Sequence, residues 1–498
     1  MKIPFPRIQA ESAAAGAQPK KRPGLGWKAE RIPGEEIARR IGVGENFELV
    51  ETRKGEKVYI ASDVPCLSEA EEEFAANFLE EFRERDAPKK REEAMEKLLA
   101  RHCRRNSLEL EKEQEDYLLK AIDLCVNGFG PISSLLRNDG IEEIALIGIG
   151  KGSPLRVYER NHGWMKTNIF FSRSQTAKNC INRMSRQIGR RLTLQNPKLN
   201  AVLPDGSRLS AVMEPISRQG PVATIRKFRR SPFAPWELAK SGTFSFESMA
   251  FLWMAMQTDL SLMVAGNTGS GKTSTLNALF SFVPKTERII VVEETPEIAL
   301  PHRHVVKLNT CPELGIGMKD LIVDTLRMRP DRIIVGEVRN SEEVNAFIDT
   351  LLAGQGKGSY ATFHAQSGKE VIMRMRNLGV MEMDLESIDL VLVQRRWNRL
   401  SKGGAMLEER RVTEASEVVA GKNGKTELNE LYSFDYQKNS LERKNKSQKA
   451  MEKIGRCFGL AESGVKKELK ERESALREAG KKAMDSGEFF EFVSNYGK

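Results

Sequence analysis

The octapeptide GNTGSGKT, Gly266 to Thr273, decides how the rest of the chain is read. It fits the spacing G-x-x-x-x-G-K-[ST], and its flanks are those the spacing requires: the apolar run SLMVA before it reads as a strand, and STLNALFSF after it reads as a helix. Glycines let backbone N–H groups turn inward around an anion, at a helix N-terminus whose dipole favours negative charge. The spacing therefore predicts a cradle for nucleotide phosphates formed by Gly266, Asn267, Thr268, Gly269, Ser270, Gly271, Lys272 and Thr273. Lys272 is expected to reach the β and γ phosphates, and Thr273 to hold Mg2+ through its hydroxyl.

Working outward, residues 245–400 alternate apolar runs with helical patterns, as in an α/β domain on a mainly parallel sheet. One run lies in RPDRIIVGEVRN, Arg329 to Asn340, and ends in Gly336-Glu337; another lies in VVEETPE and ends in Glu293, Glu294 and Glu297. Two strands ending in carboxylates beside a phosphate loop allow separate tasks, one supporting a metal and one taking a proton from attacking water. Spacing alone does not distribute those tasks. His364, in YATFHAQS, either senses the γ-phosphate or satisfies a core hydrogen bond. His302 and His304, in PHRH, sit like strand neighbours on one face with no third ligand close in sequence, and are read as structural.

Upstream, residues 1–60 read as a flexible leader and a short irregular segment, and 61–127 as a helical module whose first helix opens with a Ser68/Glu71 capping box. Residues 128–230 mix short strands (EEIALIG, PLRVYE, TNIFF), a helix (SQTAKNCINRMSRQIG) and a hairpin turning at Asp205-Gly206, which is an α+β domain. The Pro- and Arg-bearing RRSPFAPW marks a boundary near 231, and 401–498 reads as a charged, partly helical C-terminal extension.

Length and composition suit a multi-domain globular chain: 498 residues, 40% of them hydrophobic. Lys and Arg exceed Asp and Glu by 79 to 69, a surplus spread thinly enough to serve solubility. The six cysteines are far apart without a C-x-x-C pair, which argues against a zinc module or disulfide framework and suits a reducing cytoplasm. No N-terminal apolar segment is seen, and the most apolar later stretch, FLWMAMQTDLSLMVAG, is interrupted by Gln257 and Asp259, so no transmembrane segment is expected.

Four stretches taken together, GNTGSGKTS, VVEETPEI, LRMRPDRIIVGEVR and GQGKGSYATFHA, resemble the secretion-ATPase superfamily, which powers type II and type IV secretion, pilus assembly and the archaellum. The likeness continues upstream through GFGPISSLL, LPDGSRLSAVMEP and GPVATIRKF, and QGKGSYATFHAQ is most similar to the archaeal branch. It implies a RecA-like P-loop ATPase domain, residues 231–400, preceded by the α+β N-terminal domain and the small helical module. In the family the four stretches are the Walker A loop, an Asp box, a Walker B strand ending in Gly-Glu, and a His box. Glu293 then falls on the Asp-box glutamate and Glu294 on its aspartate, His364 on the second His-box histidine, and Gln355 where the first would stand.

Arg208 in DGSRL and Arg226 in TIRKF match the N-domain arginines that reach the phosphates, a task suited to a planar guanidinium. The resemblance implies a cytoplasmic, Mg2+-dependent, hexameric ATPase on the inner face of the cell membrane. It would open and close its two domains to drive an archaeal-type pilus or archaellum, or a type II/IV secretion machine, with a polytopic membrane platform protein as partner. Glu293 would orient or deprotonate water, Glu337 would support Mg2+ through a bound water, and Arg208, Arg226 and His364 would attend the phosphate end. Two rivals are a DNA-transfer ATPase of type IV secretion and a nucleotide-gated scaffold with little hydrolysis. No basic patch interleaved with aromatics is visible, so direct nucleic-acid binding is not expected.

Overall fold

The computed structural model describes residues 24–83, 91–105, 109–228, 231–354, 356–400, 406–421 and 423–497. The chain forms two compact units, one up to Phe228 and one from Arg229.

The second unit is built on a nine-stranded sheet in the order Val305–Asn309, Ile289–Glu293, Arg332–Val338, Ser359–Phe363, Leu262–Gly266, Leu390–Leu400, Met406–Ala420, Thr426–Asp435, Ser440–Arg443. The first six strands are parallel and the last three continue as an antiparallel meander. Ile289–Glu293 and Leu262–Gly266 are buried at every position, as continuous apolar runs should be when helices cover both faces of a parallel sheet. One face packs on Phe246–Met256 and Lys272–Leu279, the other on Met318–Thr325, Ser341–Leu352 and Gly368–Asn377. This is the α/β, RecA-like architecture with the phosphate loop at the carboxyl end of a central strand.

Two features differ from the sequence expectation. The strand carrying Glu337 does not neighbour the loop strand; Ser359–Phe363 lies between them and delivers His364 to the same edge of the sheet. Residues 401–498, expected as a charged extension, supply three strands of the sheet, and helices Lys449–Phe458, Glu462–Lys481 and Ser486–Ser494 bury their apolar stripes in the core around Trp253. The Trp253 indole stacks on Phe282 with centroids 5.2 Å apart and meets Tyr496 at 4.8 Å. The high charge of the Glu462–Lys481 helix hides this in composition, because only one face, including Val465, Leu469 and Leu476, is buried.

The first unit holds a second nine-stranded sheet and one hydrophobic core shared by its strands and by the helices Glu69–Arg83, Arg91–Arg105 and Lys112–Val126 expected as a separate module. Residues 24–61, expected as irregular, form the short strands Trp27–Ala29, Ile37–Val43, Phe47–Thr52 and Lys57–Ala61. The hairpin pairs Lys198–Val202 with Arg208–Val212, and Asp205 shapes its turn by accepting from Ser207 N at 3.0 Å.

At the amino end of the Arg332–Val338 strand, Arg332 is fully buried. Its guanidinium donates to Glu287 at 2.7 Å, to the Thr258 and Lys357 carbonyls at 2.7 and 2.9 Å, and to the Tyr360 hydroxyl at 2.5 Å. A buried charge whose partner is removed keeps its desolvation cost without the compensating attraction. Glu287→Ala is therefore expected to destabilise the second unit by about 3–5 kcal/mol, while Glu287→Leu with Arg332→Met costs clearly less. Chemical denaturation followed by tryptophan fluorescence checks the order of the two variants.

Candidate functional site

The loop strand Leu262–Gly266 leads into a turn that closes on the helix Lys272–Leu279. Gly271, at φ +99°, caps the helix in a left-handed conformation that a side chain would strain. Gly266 is excluded from substitution by space instead: a Cβ there would stand 2.0 Å from the Gln394 carbonyl oxygen. The loop is pinned from the neighbouring strand Leu390–Leu400. Asn267 exchanges two hydrogen bonds with the Arg396 backbone, at 3.0 and 3.1 Å, and Thr275 donates to the Gln394 side chain at 2.7 Å.

Within the loop, Lys272 is buried and its ammonium donates to the carbonyls of Gly266 and Asn267 at 3.2 and 3.4 Å. The Thr273 hydroxyl donates to Glu297 Oε2 at 3.0 Å, and the Ser270 hydroxyl is fully buried without a hydrogen-bond partner. The ammonium, the threonine hydroxyl beside a carboxylate and the orphaned serine hydroxyl lie on an inward-turned glycine loop at a helix N-terminus. That donor set fits a polyphosphate with a hard divalent cation, whose preferred ligands are oxygens. Thr268 is exposed, and Gly269 supports the turn at φ +73°.

Glu293 ends its strand almost completely buried, and its Oε1 accepts from the backbone N–H of Glu297 and Ile298 at 2.8 and 3.0 Å. Burial pushes its carboxyl up to about 7, against the opposing pull of those two N–H donors. Its stem lies against Gly336, where a Cβ would meet Glu293 Cγ at 3.0 Å.

Glu337 follows that glycine at a bulge. Val335 pairs with Ala361 and Val338 with Phe363, so one extra residue is accommodated on the Glu337 strand and its side chain is re-aimed. His364 Nε2 lies 2.5 Å from Glu337 Oε1, and Arg339 donates through Nε and Nη2 to Glu337 Oε2 at 2.8 and 2.7 Å. Arg339 also pairs through Nη1 with Glu294. The His364 imidazole is held below its ordinary pKa by burial and by the Lys272 ammonium, opposed by Glu337 and by a hydrogen bond to the Gly266 carbonyl. Lys272, His364 and Glu337 thus meet at one corner.

Glu297 and Arg339 join the expected residues. Glu297 is one of three acids in VVEETPE, and nothing in their spacing ranks it above the others as the partner of Thr273. Arg339 is one arginine among several around its strand. In the first unit Arg208 and Arg226 stand directly opposite each other on adjacent antiparallel strands. His302 and His304 go elsewhere, to the Val283 carbonyl at 3.0 Å and the Arg288 guanidinium at 2.7 Å. Gln355 lies outside the described residues. Among the described residues no group of three or more His, Cys, Asp or Glu side chains forms a metal cluster, and no helix is long and apolar enough to cross a membrane.

The chain is similar to several known proteins. The Methanocaldococcus jannaschii protein MJ0781 is 39% identical over 238 residues, covering 46% of this chain and 33% of its own length. The type IV secretion system protein VirB11 of Bartonella henselae is 28% identical over 298 residues, covering 51% of this chain and 81% of its own. The crystal structure of the pilus retraction motor PilT with bound ADP aligns at 19% identity and a TM-score of 0.41 over 55% of this chain and 79% of that one. The chain spans a third of MJ0781 and, at 53%, about half of a second M. jannaschii relative, MJ0900. A family model described as type II/IV secretion system protein matches residues 141–481, a stretch that takes in the opposed arginines, the phosphate loop and both strand-end acids, and the chain belongs to that family.

Proposed function

We propose that the chain is a Mg2+-dependent ATPase that hydrolyses ATP to ADP and phosphate and drives a filament-assembly or secretion machine, acting as a hexamer at the inner face of the cell membrane. The observation that carries this reading is the corner where Lys272, Thr273, His364 and Glu337 converge at the carboxyl ends of three neighbouring parallel strands. Relatives in M. jannaschii favour an archaeal-type pilus or archaellum, with a polytopic membrane platform protein as partner.

In this reading Lys272 leaves the Gly266 and Asn267 carbonyls for phosphate oxygens, and the Thr273 hydroxyl, now on Glu297, would be free to serve as an oxygen ligand. Thr273 and, through a water, Glu337 would hold Mg2+, which supplies neutralisation of the charge gathering on the β and γ oxygens. Glu293 takes the proton of the attacking water, its carboxylate oriented by two backbone N–H donors on Oε1. Its position at the end of a buried strand gives it a pKa near the working pH, where a general base is most effective. His364 contacts the phosphate end through its place between Lys272 and Glu337. Arg208 and Arg226 would serve the γ-phosphate, as the resemblance to the secretion ATPases implies.

Removing the ammonium should remove nucleotide capture: Lys272→Ala is expected to weaken binding of a fluorescent ATP analogue beyond detection, and retention of parental affinity would sink the reading. The second expectation concerns pH. Glu293 accepts a proton only when ionised, so turnover should fall as pH drops through about 7, the value to which burial raises this carboxyl. Glu293→Gln should lower kcat by about 10²–10⁴-fold and leave a residual rate without that acid limb. Phosphate release measured across the neutral range distinguishes a lost base from a lost fold.

A further inference from the structure

Glu337 has both carboxylate oxygens engaged by protein donors: Oε1 by His364 at 2.5 Å, and Oε2 by the Arg339 fork at 2.8 and 2.7 Å. Each carboxylate oxygen accepts about two hydrogen bonds, so the fork fills Oε2, and that oxygen takes up a cation's water shell only when Arg339 withdraws. Arg339 has somewhere to go. Its remaining terminal nitrogen, Nη1, already pairs with Glu294, the residue just past the end of the neighbouring strand, so the guanidinium bridges the ends of two parallel strands. The Arg339 and Glu294 side chains are each about half exposed, at 55%, so the guanidinium can move between them without breaking core packing. Its backbone does not have to move: Arg339 N is fixed by Glu343 Oε2 at 2.8 Å, at the start of the following helix. Glu294 therefore acts as a second seat for the guanidinium.

We propose that Arg339 is a positioning residue that masks Glu337 Oε2, and that Glu294 takes the guanidinium when that oxygen is given over to a cation's water shell. The inference rests on the nucleotide reading above and adds a metal-exchange device to it. His364, on the other oxygen, keeps Glu337 anchored to the Gly266 end of the phosphate loop during the exchange.

The test is Mn2+ binding, followed by electron paramagnetic resonance, to the full chain saturated with AMP-PNP. Glu294→Gln removes the second seat and should weaken Mn2+ by about threefold to fivefold, the size of one partly exposed ion pair. Arg339→Gln should tighten Mn2+ by a similar factor, and so should Arg339→Lys, which keeps the charge but loses the two-pronged grip. With Arg339 gone, Glu294 has nothing to receive, so the double variant Glu294→Gln/Arg339→Gln should match Arg339→Gln alone. An equal loss from Glu294→Gln in both backgrounds would mean that charge at a distance is the cause, and would overturn the proposal. Weaker Mn2+ binding in Arg339→Gln, or parental binding in Arg339→Lys, would overturn it as well. If the parent chain fails to take up AMP-PNP, the nucleotide reading fails; if it binds AMP-PNP and the double variant behaves additively, only the masking role of Arg339 fails.

Discussion

Glu293 can stand where it does only because residue 336 has no side chain. The stem of Glu293 occupies the space a Cβ at Gly336 would need, 3.0 Å from Glu293 Cγ, so the two acid-bearing strands approach as closely as parallel strands can with a carboxylate between them. The same glycine lies within the bulge between Val335 and Val338, and the bulge turns Glu337 toward His364. A side chain at 336 would crowd the stem of Glu293 and displace its carboxylate. Gly-Glu at the end of this strand is a packing solution that serves two acids at once.

Much of this was legible in the sequence. The glycine spacing of the loop, the apolar runs before Glu293 and Glu337, and the helix after Thr273 are local patterns, and each element lies where its pattern put it. What local pattern cannot carry is strand order. The run ending in Phe363 sits between the loop strand and the Glu337 strand, although it comes later in the chain than both, and only that order brings His364 against Glu337. Partner choice among like residues was equally hidden: spacing does not distribute tasks among Glu293, Glu294 and Glu297, and the family resemblance, which singles out the first two, says nothing of Glu297. The fold gives one to backbone N–H groups, one to Arg339 and one to Thr273. The C-terminal helices were obscured for another reason, since their exposed faces dominate composition while their narrow buried faces complete the core around Trp253.

The charges at the site pair with one another rather than with solvent. Lys272 is turned to loop carbonyls, Thr273 to Glu297, and Glu337 to His364 and Arg339. Every one of these contacts uses a group that phosphate or a divalent cation would claim. The loop's buried polar atoms are thereby largely satisfied within the protein, at no cost in bare buried charge. Ser270, whose buried hydroxyl has no hydrogen-bond partner among the described residues, is the exception.

The strand Arg332–Val338 combines two kinds of ion pair. At its amino end Arg332 is fully buried and its guanidinium meets a carboxylate, two carbonyls and a hydroxyl, so any displacement leaves a buried charge without partners. At its carboxyl end Arg339 is half exposed and divides itself between two acids, either of which can take its charge at little cost in water. The amino end is therefore fixed and the carboxyl end exchangeable, and a rearrangement at the phosphate corner can proceed along side chains while the sheet stays still. One strand thus combines a backbone held in register by a buried ion pair with a terminal guanidinium free to change partners.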